Sequence, residues 1–283
     1  MTEGIVVGVD GSSASDAAVD WAIDWAARTG AALRLTAVVD ASWAGLKSTG
    51  FSTAYTDILE VALTHAAERS STAHPTTSLR FGGVVEELIV ESHGADLLVI
   101  GTNKTSRLAG VIHGTTPLKL ADAIYRPMVV VPPWWSQNDG PVIVGLDSAT
   151  DHEALRFAAV AAEAFDVPLV LLHSWQTPPL LIADVLAYRE VTDSMKQTGS
   201  ELLDETESTL SALHPSLTIV KKLAAGEPAE VLVQSAEDAR MVVLGSHQRH
   251  ALNGLLLGSV GHDLLMNMPC PVAIVPPSTA VDQ

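Results

Sequence analysis

Two short constellations in this 283-residue chain combine residue types suited to holding a ligand, and each occurs twice. The first is a glycine two positions before an aspartate at the end of an apolar run, Gly8-Val9-Asp10 and again Gly145-Leu146-Asp147. The second is a glycine closing another apolar run, with a glycine and a hydroxyl residue thirteen positions further on: Gly101 with Gly114-Thr115, and Gly245 with Gly258-Ser259. A residue without Cβ at a strand end lets the backbone turn and approach a ligand closely. Where the later pair opens a helix, free N–H groups, the positive end of the helix dipole and a hydroxyl converge, which suits a phosphate. A single Gly-Ser at a helix start is usually only an N-cap. The same spacing twice in one chain is what gives the signal weight.

These residues sit inside a larger repeat. Gly4-Ile-Val-Val-Gly-Val-Asp10 returns as Pro141-Val-Ile-Val-Gly-Leu-Asp147, and Leu97-Leu-Val-Ile-Gly-Thr102 as Met241-Val-Val-Leu-Gly-Ser246. Val130-Val-Pro-Pro133 returns as Ile274-Val-Pro-Pro277. The first offset is shorter than the others, so the copies are equivalent domains with a variable middle loop. The expected limits are 1–133 and 141–283, with a linker at 134–140 rich in polar residues. Trp134 and Trp135 in that stretch are expected to pack against a domain surface rather than to serve as a ligand platform.

Within each copy, strand and helix patterns alternate. Residues 5–10 read as a strand buried on both faces. Ser13 with Asp16, and Thr150 with Glu153, resemble capping boxes. Ala18, Trp21, Ala22 and Trp25 share one helical face, as do Leu155, Ala158, Ala159 and Ala162. Further strands are expected near 32–38 and 168–174, 77–82 and 217–223, 96–101 and 240–245, and 127–131 and 271–275. Helices are expected at 54–73 and 184–213, at 84–93 and 228–238, and from 115 and 259. Five strands alternating with four helices specify an α/β fold, a doubly wound, mainly parallel sheet in each copy. In such sheets ligands bind outside the carboxyl ends of the strands where strand order reverses. If the first and fourth strands are neighbours, the two constellations line one crevice.

Composition narrows the function classes. Hydrophobic residues make up 47% and charged residues 17%, a globular balance, and the net charge is −17. That field repels phosphate backbones and anionic membranes, so no nucleic-acid or membrane partner is expected. It does not exclude a nucleotide held by a local cluster of backbone N–H groups. The single cysteine, Cys270, excludes an intramolecular disulfide and reads as a buried thiol. No apolar stretch is long enough for a membrane span. With no basic n-region before the first strand, a cytoplasmic location is expected. Neither a Walker A loop nor a Gly-x-Gly-x-x-Gly fingerprint follows a strand. His113, His247, His250 and His262 lie around the fourth-strand loops, but no compact pair with a third ligand suggests a metal site. His113, directly before Gly114, is a candidate ligand contact. No nucleophile, base and acid set is apparent, so no catalytic residue is named.

The chain resembles a tandem, two-domain universal stress protein of the mycobacterial or actinobacterial type, over nearly all of both halves. ATP-binding members of that family carry Gly, two residues, Gly, nine residues, then Gly with Ser or Thr, and an Asp ending the first strand. Here Gly101-Thr-Asn-Lys104 and Gly245-Ser-His-Gln248 are each followed, nine residues on, by Gly114-Thr115 and Gly258-Ser259. The resemblance implies Rossmann-like domains of the adenine nucleotide alpha hydrolase-like kind and binding of ATP, with or without Mg²⁺. It places Asp10 and Asp147 at the adenosine end, with the backbones of Gly8 and Gly145 beside them. Gly101, Gly114, Thr115 and Thr116 would cradle phosphates in the first copy, and Gly245, Gly258, Ser259 and Val260 in the second. It further implies that the copies pair through their fifth strands, and a homodimer of the whole chain is a plausible addition.

Both copies depart from the family pattern at one place, where the middle glycine is Lys104 or Gln248. A side chain there costs about 1 kcal/mol if positive φ is required, and obstructs the phosphates if close approach is required. Alternatively, Lys104 supplies charge in place of the lost backbone contact. Pro117 also departs from the family, at a first-turn position that tolerates proline. Three functions stay open: a nucleotide-dependent sensor, a dimerising scaffold that has lost its ligand, and a slow ATP hydrolase.

Overall fold

In the computed structural model, which describes residues 4–40, 49–69, 75–102, 115–147, 152–176, 185–246 and 257–277, both halves fold alike. The first half runs β1 (Ile5–Gly8), α1 (Ser13–Thr29), β2 (Leu33–Asp40), α2 (Thr49–Arg69), β3 (Thr76–Gly82), α3 (Val84–Ser92), β4 (Leu97–Gly101), α4 (Thr116–Ala123) and β5 (Met128–Val131). The second runs β6 (Val142–Leu146), α5 (His152–Phe165), β7 (Leu169–Trp175), α6 (Val185–Leu213), β8 (Ile219–Ala225), α7 (Pro228–Ser235), β9 (Met241–Gly245), α8 (Ser259–Asn267) and β10 (Val272–Val275). Elements begin and end within a few residues of the expected positions. The first strand stops at Gly8, leaving Val9 and Asp10 in the turn, and α2 starts five residues earlier than its pattern suggested.

Strand order is β3-β2-β1-β4-β5-β10-β9-β6-β7-β8. Each half is wholly parallel, and β1 sits between β2 and β4, with Ile5 opposite Leu33 on one side and Leu97 on the other. β6 likewise sits between β7 and β9. Order therefore reverses between β1 and β4, and between β6 and β9, which sets a crevice at each carboxyl end. The halves meet where β5 runs antiparallel to β10, Val129 opposite Ala273 and Met128 opposite Ile274. All residues of both strands are buried, so neither strand is left as an open sheet edge.

Helices cover both faces. One core cluster joins α1, α2, α5 and α6 to the sheet, the other α3, α4, α7 and α8. Ala18, Trp21, Ala22 and Trp25 are all buried, as their spacing required. The cap of α1 is Ser12 rather than Ser13: its hydroxyl accepts from the Ser15 N–H at 3.2 Å, satisfying one of the free donors of the first turn. Thr150 lies outside the described residues. Pro117 occupies the first turn of α4, where its missing N–H is not needed.

Across the seam α1 packs on α5. Trp25 stacks on Phe157 with centroids 5.7 Å apart and on Trp21 at 5.4 Å, and meets Phe165 edge-on at 5.3 Å. Arg240, just before β9, is 1% exposed, with its guanidinium 4.0 Å from the Phe165 ring centroid. It ion-pairs with Asp24 and donates to the Asn138 carbonyl. Burial pulls its pKa below the ordinary value, and Asp24 opposes that shift. Trp134 donates from Nε1 to the Pro269 carbonyl at 3.3 Å, and Trp135 packs against the core, so both tryptophans serve packing. Cys270 is buried, which pushes its thiol up to about 12.

Candidate functional site

The second copy forms a crevice of about 430 Å³ at the carboxyl ends of β6, β7 and β9, within the roughly 300–1,000 Å³ common for small-ligand sites. Gly145, Leu146 and Asp147 enter it from β6, and Gly245 from β9. Gly258, Ser259, Val260 and Gly261 enter it from the start of α8. All six residues expected of this copy thus line one cavity. The switch-point topology explains why: β6 and β9 are hydrogen-bonded neighbours, so the turns after them share a mouth.

Two ends of the crevice differ chemically. At one end α8 begins with Gly258 as N-cap, and no side-chain hydrogen bond caps it. The N–H groups of its first turn thus have no side-chain cap, and Gly258, Ser259, Val260 and Gly261 of that turn line the cavity. A Cβ added to Gly258 would meet nothing within 4 Å, so this glycine leaves open space rather than relieving a clash. Asp147 is exposed at the rim. Between the ends the wall is apolar, built from Leu172, Leu232 and Leu244.

Several lining residues gave no sequence signal: Leu172, His173, Ser174, Pro228, Leu232 and Leu257. Their placement follows from the parallel register of β6 with β7, and of β6 with β9, which periodicity alone does not fix. His173 Nδ1 lies 3.0 Å from the Leu146 carbonyl, a bond in which the ring N–H donates. This ties the end of β7 to the turn that carries Asp147. Leu257, at the approach to α8, gives its N–H to Asp122 Oδ1 of the first copy at 2.9 Å. Leu257, two residues before α8, is thus held by the other copy.

In the first copy, Gly8 and Gly101 end the adjacent strands β1 and β4, and Asp10 is exposed just past β1. Asp10 Oδ1 accepts the Ser12 N–H at 2.9 Å, which fixes the carboxylate in its turn. Thr115 is the exposed N-cap residue of α4 and Thr116 its first residue. Gly114, Lys104, Gln248, His113, His247 and His250 lie outside the described residues. The glycine at 101 has a cause the sequence did not suggest. A Cβ there would lie 2.8 Å from the Ser15 backbone nitrogen and collide with the Ala14 carbonyl, so the residue admits the first turn of α1. Gly8 and Gly145 are also packing positions, their added Cβ meeting Ile100 at 3.2 Å and Leu244 at 2.7 Å respectively. His262 is exposed. Among the described residues no group of three His, Cys, Asp or Glu is placed to hold a metal ion. No described helix is long and apolar enough to cross a membrane.

Fold and topology define the chain as a tandem of Rossmann-like α/β domains, each with a switch point between its first and fourth strands, and with a cleft there in the second. Comparison with known proteins gives the family. Residues 1–132 and 140–276 each match the universal stress protein family, and the chain belongs to it. It is similar to a universal stress protein of Mycolicibacterium smegmatis, 29% identical with 97% of each chain covered. A universal stress protein of Mycobacterium tuberculosis is 30% identical, covering 98% of this chain and 97% of its own. Among solved structures, a universal stress protein from Archaeoglobus fulgidus superposes over 98% of this chain and 97% of its own, with a TM-score of 0.69 at 15% identity.

Proposed function

We propose that this protein binds ATP or a related adenine nucleotide in its switch-point crevices and acts as a nucleotide-dependent sensor or regulator in stress responses. One observation carries the reading. The crevice of the second copy gathers Gly145, Asp147, Gly245, Gly258, Ser259 and Val260, the residues the family motif assigns to the nucleotide. The phosphates would lie on the first turn of α8, where N–H groups and the helix dipole favour negative charge. Asp147 repels phosphate but accepts from neutral hydroxyls, so the ribose belongs beside it. Backbone N–H groups and a hydroxyl fit phosphate rather than a bare divalent cation, which takes oxygen ligands, so Mg²⁺ would ride on the nucleotide's own phosphates. In the first copy Gly8, Asp10, Gly101, Thr115 and Thr116, with Gly114 from the sequence motif, would take the same roles.

Pairing of the copies through β5 and β10 supports a reading of the chain as a dimer within one polypeptide, acting in the cytoplasm. Binding rather than turnover is the proposed activity. The scaffold alternative has one observation in its favour: Gly101, a motif glycine, is accounted for by the packing of α1 without any ligand. Nucleotide released by denaturing gently purified protein, followed by calorimetry with ATP, separates the two. Bound adenine nucleotide and measurable heat are expected, with Asp147→Ala weakening binding at least tenfold. Absence of both at millimolar ATP removes the nucleotide reading. ATP turnover by the wild type above an Asp10→Ala, Asp147→Ala control revives the hydrolase.

A further inference from the structure

Leu257 is where the chain enters α8, and its backbone N–H lies ahead of the Gly258 N-cap, out of reach of the helix's own carbonyls. Such a donor must find another partner when it is buried, and Leu257 is 9% exposed. The partner is Asp122 Oδ1 at 2.9 Å, from the last turn of α4 in the first copy, on a side chain that is itself half-buried. A hydrogen bond to a charged acceptor is about twice as strong as a neutral one. The Leu257 side chain completes the arrangement. A Cβ on Gly261 would come within 2.5 Å of Leu257 Cδ1, so Leu257 folds back over the first turn of α8 and Gly261 admits it. Leu257 also lines the crevice. Its position therefore sets where the first turn of α8 stands against the cavity. No local cap does this instead, because Gly258 has no side chain to close the helix start.

The link is built in one direction. Gly114-Thr115 matches Gly258-Ser259, so the place of Asp122 is taken in the second copy by Met266, whose thioether is a weak acceptor without charge. The second copy thus offers no carboxylate to the first at this position. We infer that Asp122 is a positioning residue of the second copy's crevice, although it belongs to the first: it holds the entry to α8, and with it the N–H groups that meet a phosphate. The wall of Leu172, Leu232 and Leu244 and the Asp147 rim come from other elements, so Asp122 acts on the phosphate end alone. Binding groups must be held to within about 0.5 Å of their working geometry, and a glycine-capped helix start gains that constraint from across the seam.

This inference rests on the nucleotide reading, and a pair of ligands, ATP and adenosine without phosphate, keeps their failures apart. Calorimetry uses the full chain with Asp10→Ala to silence the first crevice, alone and combined with Asp122→Ala or Asp122→Asn. Asp122→Ala is expected to weaken ATP binding about threefold to fivefold and to leave adenosine binding unchanged. Asp122→Asn keeps an oxygen that accepts the Leu257 N–H, so ATP affinity stays within about twofold of the Asp10→Ala parent. If neither ligand binds the parent, the nucleotide reading fails and this inference with it. If ATP binds and Asp122→Ala leaves its affinity unchanged, the nucleotide reading stands and this inference is overturned. An equal loss for ATP and adenosine also overturns it, because Asp122 then supports the seam rather than the phosphate end. One measurement needs no ligand: hydrogen exchange at the Leu257 amide should be faster in Asp122→Ala than in wild type, and equal rates overturn the link itself.

Discussion

The first copy closes its second strand with Ala37-Val38-Val39, all buried, while the second closes the equivalent strand with half-buried His173-Ser174-Trp175. Their inner strands, by contrast, are interchangeable in character: Ile5-Val6-Val7 and Val142-Ile143-Val144 are all buried to within 2%. A second contrast runs along the seam. Where α1 carries Trp21 and Trp25, α5 carries Ala158 and Ala162 at the corresponding positions. Where α5 carries Phe157 and Phe165, α1 carries Asp20 and Arg28. The two copies thus place their large side chains at different helix positions, and Trp21 and Trp25 of one meet Phe157 and Phe165 of the other. The two copies differ at two places, the end of the second strand and the seam, and are alike in the inner strands of the sheet.

Breaking the seam should have the largest effect. Arg240 is buried in the second copy and paired with Asp24 of the first. Arg240→Leu is expected to cost about 3 kcal/mol in urea unfolding, because Asp24 loses its inward partner. Asp24 keeps Arg28 at 3.0 Å, so adding Asp24→Asn should return part of the loss. A cost below about 1 kcal/mol would mean that the aromatic stack alone holds the copies together.

Next come the motif glycines, which look equivalent in sequence and are not. Gly101→Ala forces a Cβ against α1 backbone that cannot yield, and should destabilise by about 2 kcal/mol. Gly258→Ala meets open space at φ −63°, so stability should stay within about 0.5 kcal/mol while ATP affinity falls. Equal stability losses at both positions would erase the distinction between a packing glycine and a ligand glycine. The smallest expected effect belongs to Asp122, which holds the Leu257 N–H from across the seam at 2.9 Å. Asp122→Ala should weaken ATP binding at the second crevice by a few fold, about 1 kcal/mol or less, and leave the first unchanged. Calorimetric stoichiometry in the Asp10→Ala and Asp147→Ala backgrounds reads the two separately.

Much of the architecture was legible because it is written locally. Apolar runs such as Leu97-Leu-Val-Ile100 mark buried strands, Ala18 to Trp25 mark a helix face, and the recurrence of both fixes two like domains. The neighbour relation of β1 and β4 stayed conditional in the sequence and comes from the strand pairing itself. What stayed hidden depends on contacts between distant segments. Arg240, in Glu237-Asp-Ala-Arg240, carries no signal in the sequence, and its role comes from the Phe165 ring and Asp24 that the fold brings to it. Gly101 reads as a ligand residue until the first turn of α1 is laid over it. Ser174 has no motif at all, and only the register of β7 against β6 brings it to the crevice.

The antiparallel junction of β5 and β10 has a directional consequence. All strands of one copy run against all strands of the other, so the carboxyl ends of the two parallel sets point to opposite poles of the sheet. The two mouths consequently look away from each other. A small protein docked at one pole can sense whether that mouth is filled and has no access to the other. Two partners docked at the two poles would therefore not compete for one surface.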